Sequence, residues 1–593
     1  MRLIHSLICF CLVAIAKGQA PIVYELSFEN IVHHELQVKV TFTDIETDVL
    51  EIRMPNSSPG RYAVHQFAKN VYLERAKDLN GEEVALRRLT PYTWEAEVKD
   101  GSVTFEYTVF GNHADGTYLG VDAKKVHMNM PATFVYGVNL ESRPIELFIP
   151  ERGKWDVATQ LDKQSPTKFV APNYYYFYDS PTIVGEMEWR RWEVDGQTIE
   201  MSVMHEGTKE ELDAYTAWVK LVVNELKDVY GELPKFDYGR YTFLIAYNPW
   251  VKGDGMEHRN STVCTSTRSL ETSALSLIRT ISHEFFHSWN VERIRPESLE
   301  PFDFDVPNLS EALWFGEGFT DYYDRLTLMR TGIYTTEQFI RDQANRLTAV
   351  LNAPGRSIRS AVVMSQQAVF KDAGVSNDAT NFENTFISYY QYGSIIALGL
   401  DLTLRTEFDT DLDTYMKTVW KKHGKTETPY TMTDLQQILA DLTSKKFASS
   451  FFKNQIYGSQ LPDFTTLFEN FGIKKSIQSP DSPYFGNPKL NNYGKITSKL
   501  LKGTALYEAG IEQGDKLISI DERELDTTGD LNRIINTLEV GKSYEVEYEQ
   551  LGERKTGTIT TVQDPRITLA YLQDSKLKSK QIKLRNEWLG LDD

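Results

Sequence analysis

The feature that most constrains this chain is the motif H-E-F-F-H at residues 283–287. Apolar residues recur every four positions through it, and no glycine or proline interrupts residues 272–290, so the pattern predicts one helix. On a helix, His283 and His287 lie one turn apart on the same face, where both imidazoles can reach one zinc ion. Glu284 stands beside them as a candidate general base. The alternative is a buried helix whose histidines serve only the structure.

An aromatic and acidic stretch, residues 310–323, supplies what such a site still lacks. Catalytic zinc sites take three protein ligands, and two histidines with one glutamate are a common set. Glu317 and Asp321 are four residues apart on a predicted helix and share a face. We therefore predict Glu317 as the third ligand and Asp321 as the acceptor of the outer ring N–H of a ligating histidine. The alternative, an exposed acidic face, conflicts with the aromatic neighbours.

Two further stretches offer groups for substrate contact. The glycine-rich turn at 253–258 contains Glu257, a carboxylate suited to pair with a free ammonium group. Residues 389–393 contain three tyrosines, and a tyrosine hydroxyl beside a zinc site is suited to hydrogen-bond a developing oxyanion. The respective alternatives are a plain surface loop and an aromatic core stripe.

The chain as a whole has 593 residues, too many for one hydrophobic core, so several domains are expected. Its formal net charge of −19 argues against nucleic acid as a partner. Arg2 and the apolar run at 7–16 predict a signal peptide, residues 1–18, and an exported protein, periplasmic or secreted, without stable membrane insertion. Only Cys264 then remains, so no intramolecular disulfide is expected, and the thiol is predicted to be buried.

Periodicity predicts a multidomain α+β fold. Alternating apolar and polar residues at 20–190 predict an antiparallel β-domain, and helical patterns dominate 191–478. A Ser-, Pro- and Gly-rich stretch opens a third region, 479–567, in which strand and helix patterns mix. The C-terminal tail, 568–593, is lysine-rich from residue 575 and is predicted to be a solvated helix or an irregular solvated segment.

Several motifs together resemble the glycyl aminopeptidase family of zinc metallopeptidases. They are HEFFHSWN, LWFGEGFTDYY, GMEH, YYQYG and, in the β-domain, SPGRY. The resemblance covers most of the mature chain and implies a thermolysin-like catalytic domain behind the N-terminal β-domain. It also implies a C-terminal PDZ domain, because KGTALYEAGIEQGDKLISI looks like the helix and strand of that fold.

Carried over residue by residue, the resemblance implies one zinc ion per chain on His283, His287 and Glu317, with Glu284 as the catalytic base. These are the residues that the helical spacing singles out independently.

For the substrate, the resemblance implies that Glu257 holds the α-amino group, with Gly255 and Met256 beside it. It assigns the oxyanion tyrosine to Tyr390, although a tyrosine stands two positions later where relatives have lysine, and Tyr389 remains an alternative.

The implied activity is that of an aminopeptidase, which releases small N-terminal residues such as glycine or alanine from peptides or proteins. One alternative is an endopeptidase of the same zinc class. Another is a non-catalytic protein whose PDZ-like groove binds peptide C-termini or strands. Structural zinc sites usually use cysteines in all four positions, which argues against the last.

Overall fold

A computed structural model describes residues 19–371 and 381–591, which form two units. The first unit comprises residues 19–55, 66–113 and 118–186, and the second comprises 56–65, 114–117 and the described residues from 187 onward. The predicted signal peptide lies outside the described residues. Among the described helices, none has both the length and the apolar character needed to cross a bilayer.

The first unit is a β-domain, as the alternation of its sequence predicted. Its elements in chain order are β1 (Ile22–Ser27), β2 (Glu35–Phe42), β3 (Val49–Arg53), β4 (Val71–Lys77), β5 (Leu86–Thr90), β6 (Thr93–Glu97), β7 (Val103–Phe110), β8 (Gly120–Val121), β9 (Lys125–Met128), β10 (Tyr136–Gly137), β11 (Ile145–Phe148), β12 (Asp156–Thr159), β13 (Asp162–Lys163), β14 (Lys168–Ala171), α1 (Tyr174–Tyr178) and β15 (Thr182–Gly185).

These strands form three sheets. The largest has the order β13-β14-β11-β1-β2-β7-β4, and the others are β10-β3-β6-β5 and β12-β15-β9-β8. Every second residue of β2 is buried, because successive side chains of a strand point to opposite faces and only one face meets the core. The prediction of purely antiparallel pairing is wrong at one place, since β1 and β11 pair in parallel.

The second unit begins with a five-stranded sheet. Its elements are β16 (Glu188–Val194), β17 (Gln197–His205), α2 (Lys209–Tyr230), β18 (Arg240–Tyr247), β19 (Asp254–His258) and β20 (Ser261–Ser266). The order is β16-β17-β18-β20-β19, with a parallel centre and antiparallel outer strands. Strand β19, which carries Glu257, therefore lies at an edge of the sheet.

Helices follow the sheet, as the sequence pattern predicted. They are α3 (Leu270–Phe286), α4 (Leu313–Arg330), α5 (Thr336–Leu351), α6 (Ala361–Gln366), α7 (Ala368–Lys371), α8 (Phe382–Thr385), α9 (Tyr389–Glu407), α10 (Leu412–Val419), α11 (Met432–Leu442), α12 (Lys445–Phe451) and α13 (Phe464–Asn470). Helix α4 is buried on all sides, from Leu313 to Met329, and so forms the centre of this region.

Helices α4 and α9 approach each other closely at two glycines. A β-carbon on Gly393 would lie 2.1 Å from the main-chain oxygen of Trp314 and 2.7 Å from Cα of Gly318. Only glycines permit this distance between the backbones. The crossing brings the first turn of α9, which carries the tyrosines, against the first turns of α4.

The last part of the chain mixes strands and short helices, as predicted. Its elements are β21 (Ile473–Ile477), β22 (Pro483–Tyr484), α14 (Ala505–Glu508), β23 (Lys516–Ile520), β24 (Arg523–Glu524), α15 (Thr528–Ile535), β25 (Ser543–Gln550), β26 (Glu553–Thr560), β27 (Val562–Gln563), β28 (Ile567–Tyr571) and α16 (Ser579–Leu589). A sheet of order β24-β23-β25-β26 encloses a separate apolar core. Whether this module is a PDZ domain stays a prediction.

The segment 568–593 contains a helix, one of the two predicted forms, but the prediction that the segment is solvated is wrong. Strand β28 pairs with β21, and Trp588 of α16 is fully buried. Its indole N–H donates to the hydroxyl of Tyr322, at 2.8 Å, in the centre of the second unit. The lysines that dominate the composition lie on the solvent side of α16, whereas Leu584, Trp588 and Leu589 form the buried side.

Candidate active site

The three predicted metal ligands converge in the second unit. The Nε2 atoms of His283 and His287 lie 3.6 and 3.3 Å from Oε2 of Glu317. All three ligand atoms lie within 4.8 Å of one another. Donors about 2.1 Å from a tetrahedral zinc ion stand about 3.4 Å apart, so both distances fit such an ion. Glu317 and His287 are buried, and His283 is nearly so.

The outer nitrogens of both imidazoles are already engaged. Nδ1 of His283 lies 3.2 Å from Oδ2 of Asp324, and Nδ1 of His287 lies 2.9 Å from the main-chain oxygen of Asn290. Each ring can therefore donate from Nδ1, and Nε2 is the nitrogen that faces Glu317. Burial opposes ionisation of Glu317, but the two imidazoles outweigh it and lower the pKa of that carboxyl.

The prediction that Asp321 accepts the outer ring N–H of a ligating histidine needs correction. Asp321 is bound by two arginines: Arg325 donates to it at 2.9 Å, and Arg346 forms a close ion pair with it. Burial opposes its ionisation, yet the arginines lower its pKa to about 2. Asp324 takes the histidine instead. It stands seven residues after Glu317 and so shares its helical face, a periodicity that could have identified it.

Asn290 is a site residue that sequence reasoning missed. Its side-chain amide donates to the main-chain oxygens of Phe315 and Gly316, at 3.1 and 2.9 Å. Its own main-chain oxygen accepts from His287. One buried residue thus orients a predicted ligand and ties the end of α3 to the first turn of α4, directly before Glu317.

Tyr62 is a second residue that was missed. It belongs to the segment 56–65, which lies far from the helices in sequence but packs within the second unit. Its hydroxyl donates to Oε1 of Glu317 at 2.8 Å. Burial, together with Glu317 and Glu257, raises the pKa of Tyr62, so the hydroxyl keeps its proton and stays a donor. The only hint in the sequence was the SPGRY motif, to which no role was assigned.

Strand β19 lies directly beside the predicted base. A β-carbon on Gly255 would lie 2.2 Å from Oε1 of Glu284, so any larger residue here would displace the Glu284 carboxylate. Burial raises the pKa of Glu284 to about 7, while His283 and His287 act in the opposite direction.

Glu257 follows on the same strand. One oxygen of its carboxylate lies within 4.8 Å of a carboxylate oxygen of Glu284 and of a ring nitrogen of His287. The residue is buried, as is its neighbour Met256, and burial raises the pKa of Glu257. Its Oε1 has no hydrogen-bond partner among the described residues.

The tyrosines at the start of α9 face different groups. The ring of Tyr390 lies 5.9 Å from that of His283, whereas Tyr389 packs edge-on against Tyr62 at 6.3 Å. Tyr389 and Tyr390 stack at 4.9 Å. Tyr392 is fully buried, and burial raises its pKa to about 12. Of the three, Tyr390 is the one beside a predicted ligand.

Other polar residues near the motif are structural. Arg293 is buried and donates to the main-chain oxygens of Arg259 and Ser288, both at 2.9 Å. Arg295 pairs with Glu300 at 2.7 Å. Cys264 is buried, as predicted.

The model of the Peptidase M61 N-terminal domain matches residues 23–186, and that of M61 glycyl aminopeptidase matches 276–396. No curated protein sequence matches the chain significantly.

Among solved structures, an aminopeptidase N family protein from Idiomarina loihiensis is 23% identical at a TM-score of 0.84, covering 96% of this chain and 100% of that one. An M1 zinc metallopeptidase from Deinococcus radiodurans is 14% identical at a TM-score of 0.46, covering 75% of this chain and 95% of that one. Native yeast LTA4 hydrolase is 13% identical at 0.44, covering 77% of this chain and 70% of that one.

The likeness to the Idiomarina protein shows a shared fold over nearly the whole chain. The two family models match the β-domain and the segment that contains His283, His287, Glu317 and Tyr390. The recognition made from the motifs is thereby confirmed for two parts of the chain: residues 23–186 and 276–396 match the N-terminal and catalytic domains of the M61 glycyl aminopeptidase family.

Proposed function

We propose that this protein is a zinc-dependent peptidase that holds one zinc ion on His283, His287 and Glu317. The observation that carries the proposal is the convergence of three buried donor atoms, two of them imidazole nitrogens oriented by acceptors at the opposite side of each ring. This donor set is that of catalytic rather than structural zinc sites. When bound, zinc supplies a Lewis acid for the scissile carbonyl.

The remaining groups would supply the proton transfers and the charge stabilisation. Glu284 takes a proton from the attacking water and passes it to the leaving amine. Tyr390 donates a hydrogen bond to the oxyanion as it forms. Its ring position beside His283 supports this assignment over Tyr389.

Glu257 favours an aminopeptidase over an endopeptidase. A buried carboxylate oxygen without a hydrogen-bond partner is unfavourable until a donor arrives, and the ammonium group of a peptide N-terminus is a donor of opposite charge. Holding the N-terminus there would restrict cleavage to the first peptide bond. The preference for small residues such as glycine or alanine rests on the family resemblance.

The test of the peptidase proposal uses alanine p-nitroanilide and the variant Glu284→Gln. The wild type should contain about one zinc ion per chain and lose activity on chelation. The variant should keep its zinc while its kcat falls by about 10²- to 10⁴-fold, the usual contribution of a general base. A variant of undiminished activity would remove Glu284 from the mechanism, and a wild type without bound metal would refute the zinc assignment.

The aminopeptidase assignment needs a second comparison, between free and N-acetylated alanyl peptides. The free peptide should be cleaved and the acetylated peptide spared, and Glu257→Gln should reduce this difference. Equal cleavage of both peptides by the wild type would favour the endopeptidase alternative.

We also propose that the module at 479–567 is PDZ-like and that it binds peptide C-termini or strands. Its separate apolar core supports an independent module. Export through the predicted signal peptide is likewise a proposal, which N-terminal sequencing of the mature protein would test.

A further inference from the structure

Two adjoining cavities lie next to the predicted catalytic residues. The first, of about 370 Å³, begins at Gly253 and Gly255 beside Glu284, and the second has about 480 Å³. Both are lined by Arg268, Ser276 and Tyr334, so they form one continuous depression. The depression is large enough for several residues of a peptide.

Three exposed arginines line this depression. Arg268 and Arg279 line the first cavity, and Arg268 and Arg341 line the second. None of the three forms an ion pair within the described ranges, although the chain has 83 acidic against 64 basic residues. Arginines elsewhere around the site, such as Arg325 and Arg346, are paired with aspartates. The depression thus offers guanidinium groups that form no ion pair with any residue the structure describes.

The spacing along α3 locates these groups relative to the metal ligands. Arg279 stands four residues before His283, on the same helical face and about 6 Å toward the start of the helix. Ser276, which accepts from Arg268 at 3.2 Å, stands seven residues before His283, about 10 Å away along the axis.

The course of a substrate follows from the proposed function, on which this inference rests. With its N-terminus at Glu257 and its first peptide bond at Glu284, an extended peptide continues along the edge strand β19 toward Gly255 and Gly253. An unpaired strand edge accepts such a peptide by main-chain hydrogen bonds. At about 3.3 Å per residue, the peptide reaches Arg279 about two residues beyond the cleaved bond and Arg268 about three residues beyond it.

We propose that Arg279 and Arg268, with Arg341 behind them, bind a carboxylate of the substrate two or three residues beyond the cleaved bond. Guanidinium and carboxylate groups form strong paired hydrogen bonds, and the depression provides these donors. The two carboxylates that also line it, Asp254 and Asp342, are paired with other arginines. The carboxylate has two possible sources. It is the C-terminal carboxylate of a tripeptide or tetrapeptide, or an aspartate or glutamate side chain at the same place in a longer peptide.

The experiment measures kcat/KM for three substrates: trialanine with a free C-terminal acid, trialanine amide, and Ala-Ala-Asp amide. For the wild type we expect a preference for a carboxylate-bearing substrate over trialanine amide of about fivefold for each engaged arginine, the upper range for exposed ion pairs. A gain for trialanine acid alone identifies the C-terminal source, and a gain for Ala-Ala-Asp amide alone identifies the side-chain source. The preference should shrink in concentrated salt.

Variants locate the effect. Arg279→Gln combined with Arg268→Gln should bring the ratio of acid to amide close to one, and Arg279→Lys should retain part of it. A substitution that slows the cleavage of all substrates equally leaves this ratio unchanged. The matched control is Arg533→Gln on α15, an exposed arginine that lines neither cavity, and its ratio should equal that of the wild type.

Two outcomes overturn the inference: a wild-type ratio near one, or a ratio that survives the double substitution. Alanine p-nitroanilide, which has no downstream carboxylate, separates this failure from that of the proposed function. Cleavage of the anilide without any preference among the peptides refutes only the carboxylate site, whereas absence of all cleavage refutes the peptidase proposal and the inference with it.

Discussion

At the level of single residues, Asp321 and Asp324 divide two tasks on one face of α4. Asp324 accepts from Nδ1 of His283 and also pairs with Arg325, whereas Asp321 pairs with both Arg325 and Arg346. We expect Asp324→Asn to weaken zinc binding by about 10- to 100-fold, the usual effect of losing an acceptor behind a ligating histidine. Zinc competition with a chelator measures this.

The comparison variant is Asp321→Asn. It should lower the free energy of unfolding of the metal-free protein by about 1–3 kcal/mol, because Arg325 and Arg346 each lose one charged partner but keep Asp342. It should change zinc affinity less than Asp324→Asn does. The reverse ranking of the two affinities would restore Asp321 to the role that the sequence suggested.

Tyr62 gives a second prediction at this scale. Tyr62→Phe removes the hydrogen bond to Oε1 of Glu317 and keeps the aromatic ring. We expect zinc affinity to fall by about tenfold, since partners of ligating carboxylates contribute to metal binding. Tyr493→Phe, at a tyrosine that is 75% exposed, is the matched control and should leave the affinity unchanged. Equal affinities in both variants would mean that Tyr62 does not support the ligand.

The sequence predicted the ligands because their spacing is local. Residues four apart on a helix share a face, so His283 and His287 had to meet once α3 formed. Glu317 followed from the chemistry of a third ligand. The partner of Glu317 could not be predicted in this way, because Tyr62 lies 255 residues away and no periodicity connects the two. The role of Asn290 could not be predicted either, because its hydrogen bonds are largely to or from main-chain oxygens, and a residue pattern does not reveal these.

At the level of elements, the crossing of α4 and α9 sets the distance between the ligands and the tyrosines. Gly393→Ala would place a methyl group against the main chain of Trp314, so the two helices would have to separate. We expect a loss of about 1–3 kcal/mol in the free energy of unfolding, the range for overpacking. Activity should fall further than stability explains, because Tyr390 moves with α9. Urea unfolding and kcat measure the two effects.

The control for this variant is Gly529→Ala in α15. A β-carbon there would meet nothing closer than 3.6 Å, so a helical glycine is replaced without crowding. Its stability should stay equal or rise by up to about 1 kcal/mol, as helix propensity favours alanine. If Gly393→Ala behaved in the same way, the close approach would not matter. This contact was beyond prediction, because a glycine inside a helical pattern does not reveal which helix it faces.

At the level of the whole molecule, α16 returns the end of the chain to the centre of the second unit. Trp588 is fully buried and donates to Tyr322, a neighbour of Tyr323 and Asp324 on α4. We expect Trp588→Ala to destabilise the protein by about 3–5 kcal/mol, as for other buried tryptophans. Trp250→Ala, at a tryptophan that is 52% exposed, should cost much less, and both are measured by urea unfolding.

A solvated tail would instead make Trp588→Ala as harmless as Trp250→Ala. A solvated segment is predicted there because the lysines of residues 576–583 dominate the composition. Burial depends instead on the spacing of a few apolar residues. Domain order was predictable from changes of periodicity along the chain. The return of a terminal helix was not, since nothing in its own sequence identifies its partner.

The position of Tyr62 has a practical consequence for producing the second unit as a separate fragment. A fragment beginning at residue 187 would keep every side chain proposed to touch zinc or substrate. It would nevertheless lack the Tyr62 hydroxyl, which donates to Glu317. It would also lack the Arg61 guanidinium, which pairs with Asp254, the residue that precedes Gly255. A usable excised enzyme must therefore be redesigned to include residues 56–65 and 114–117, grafted as loops from an otherwise separable domain.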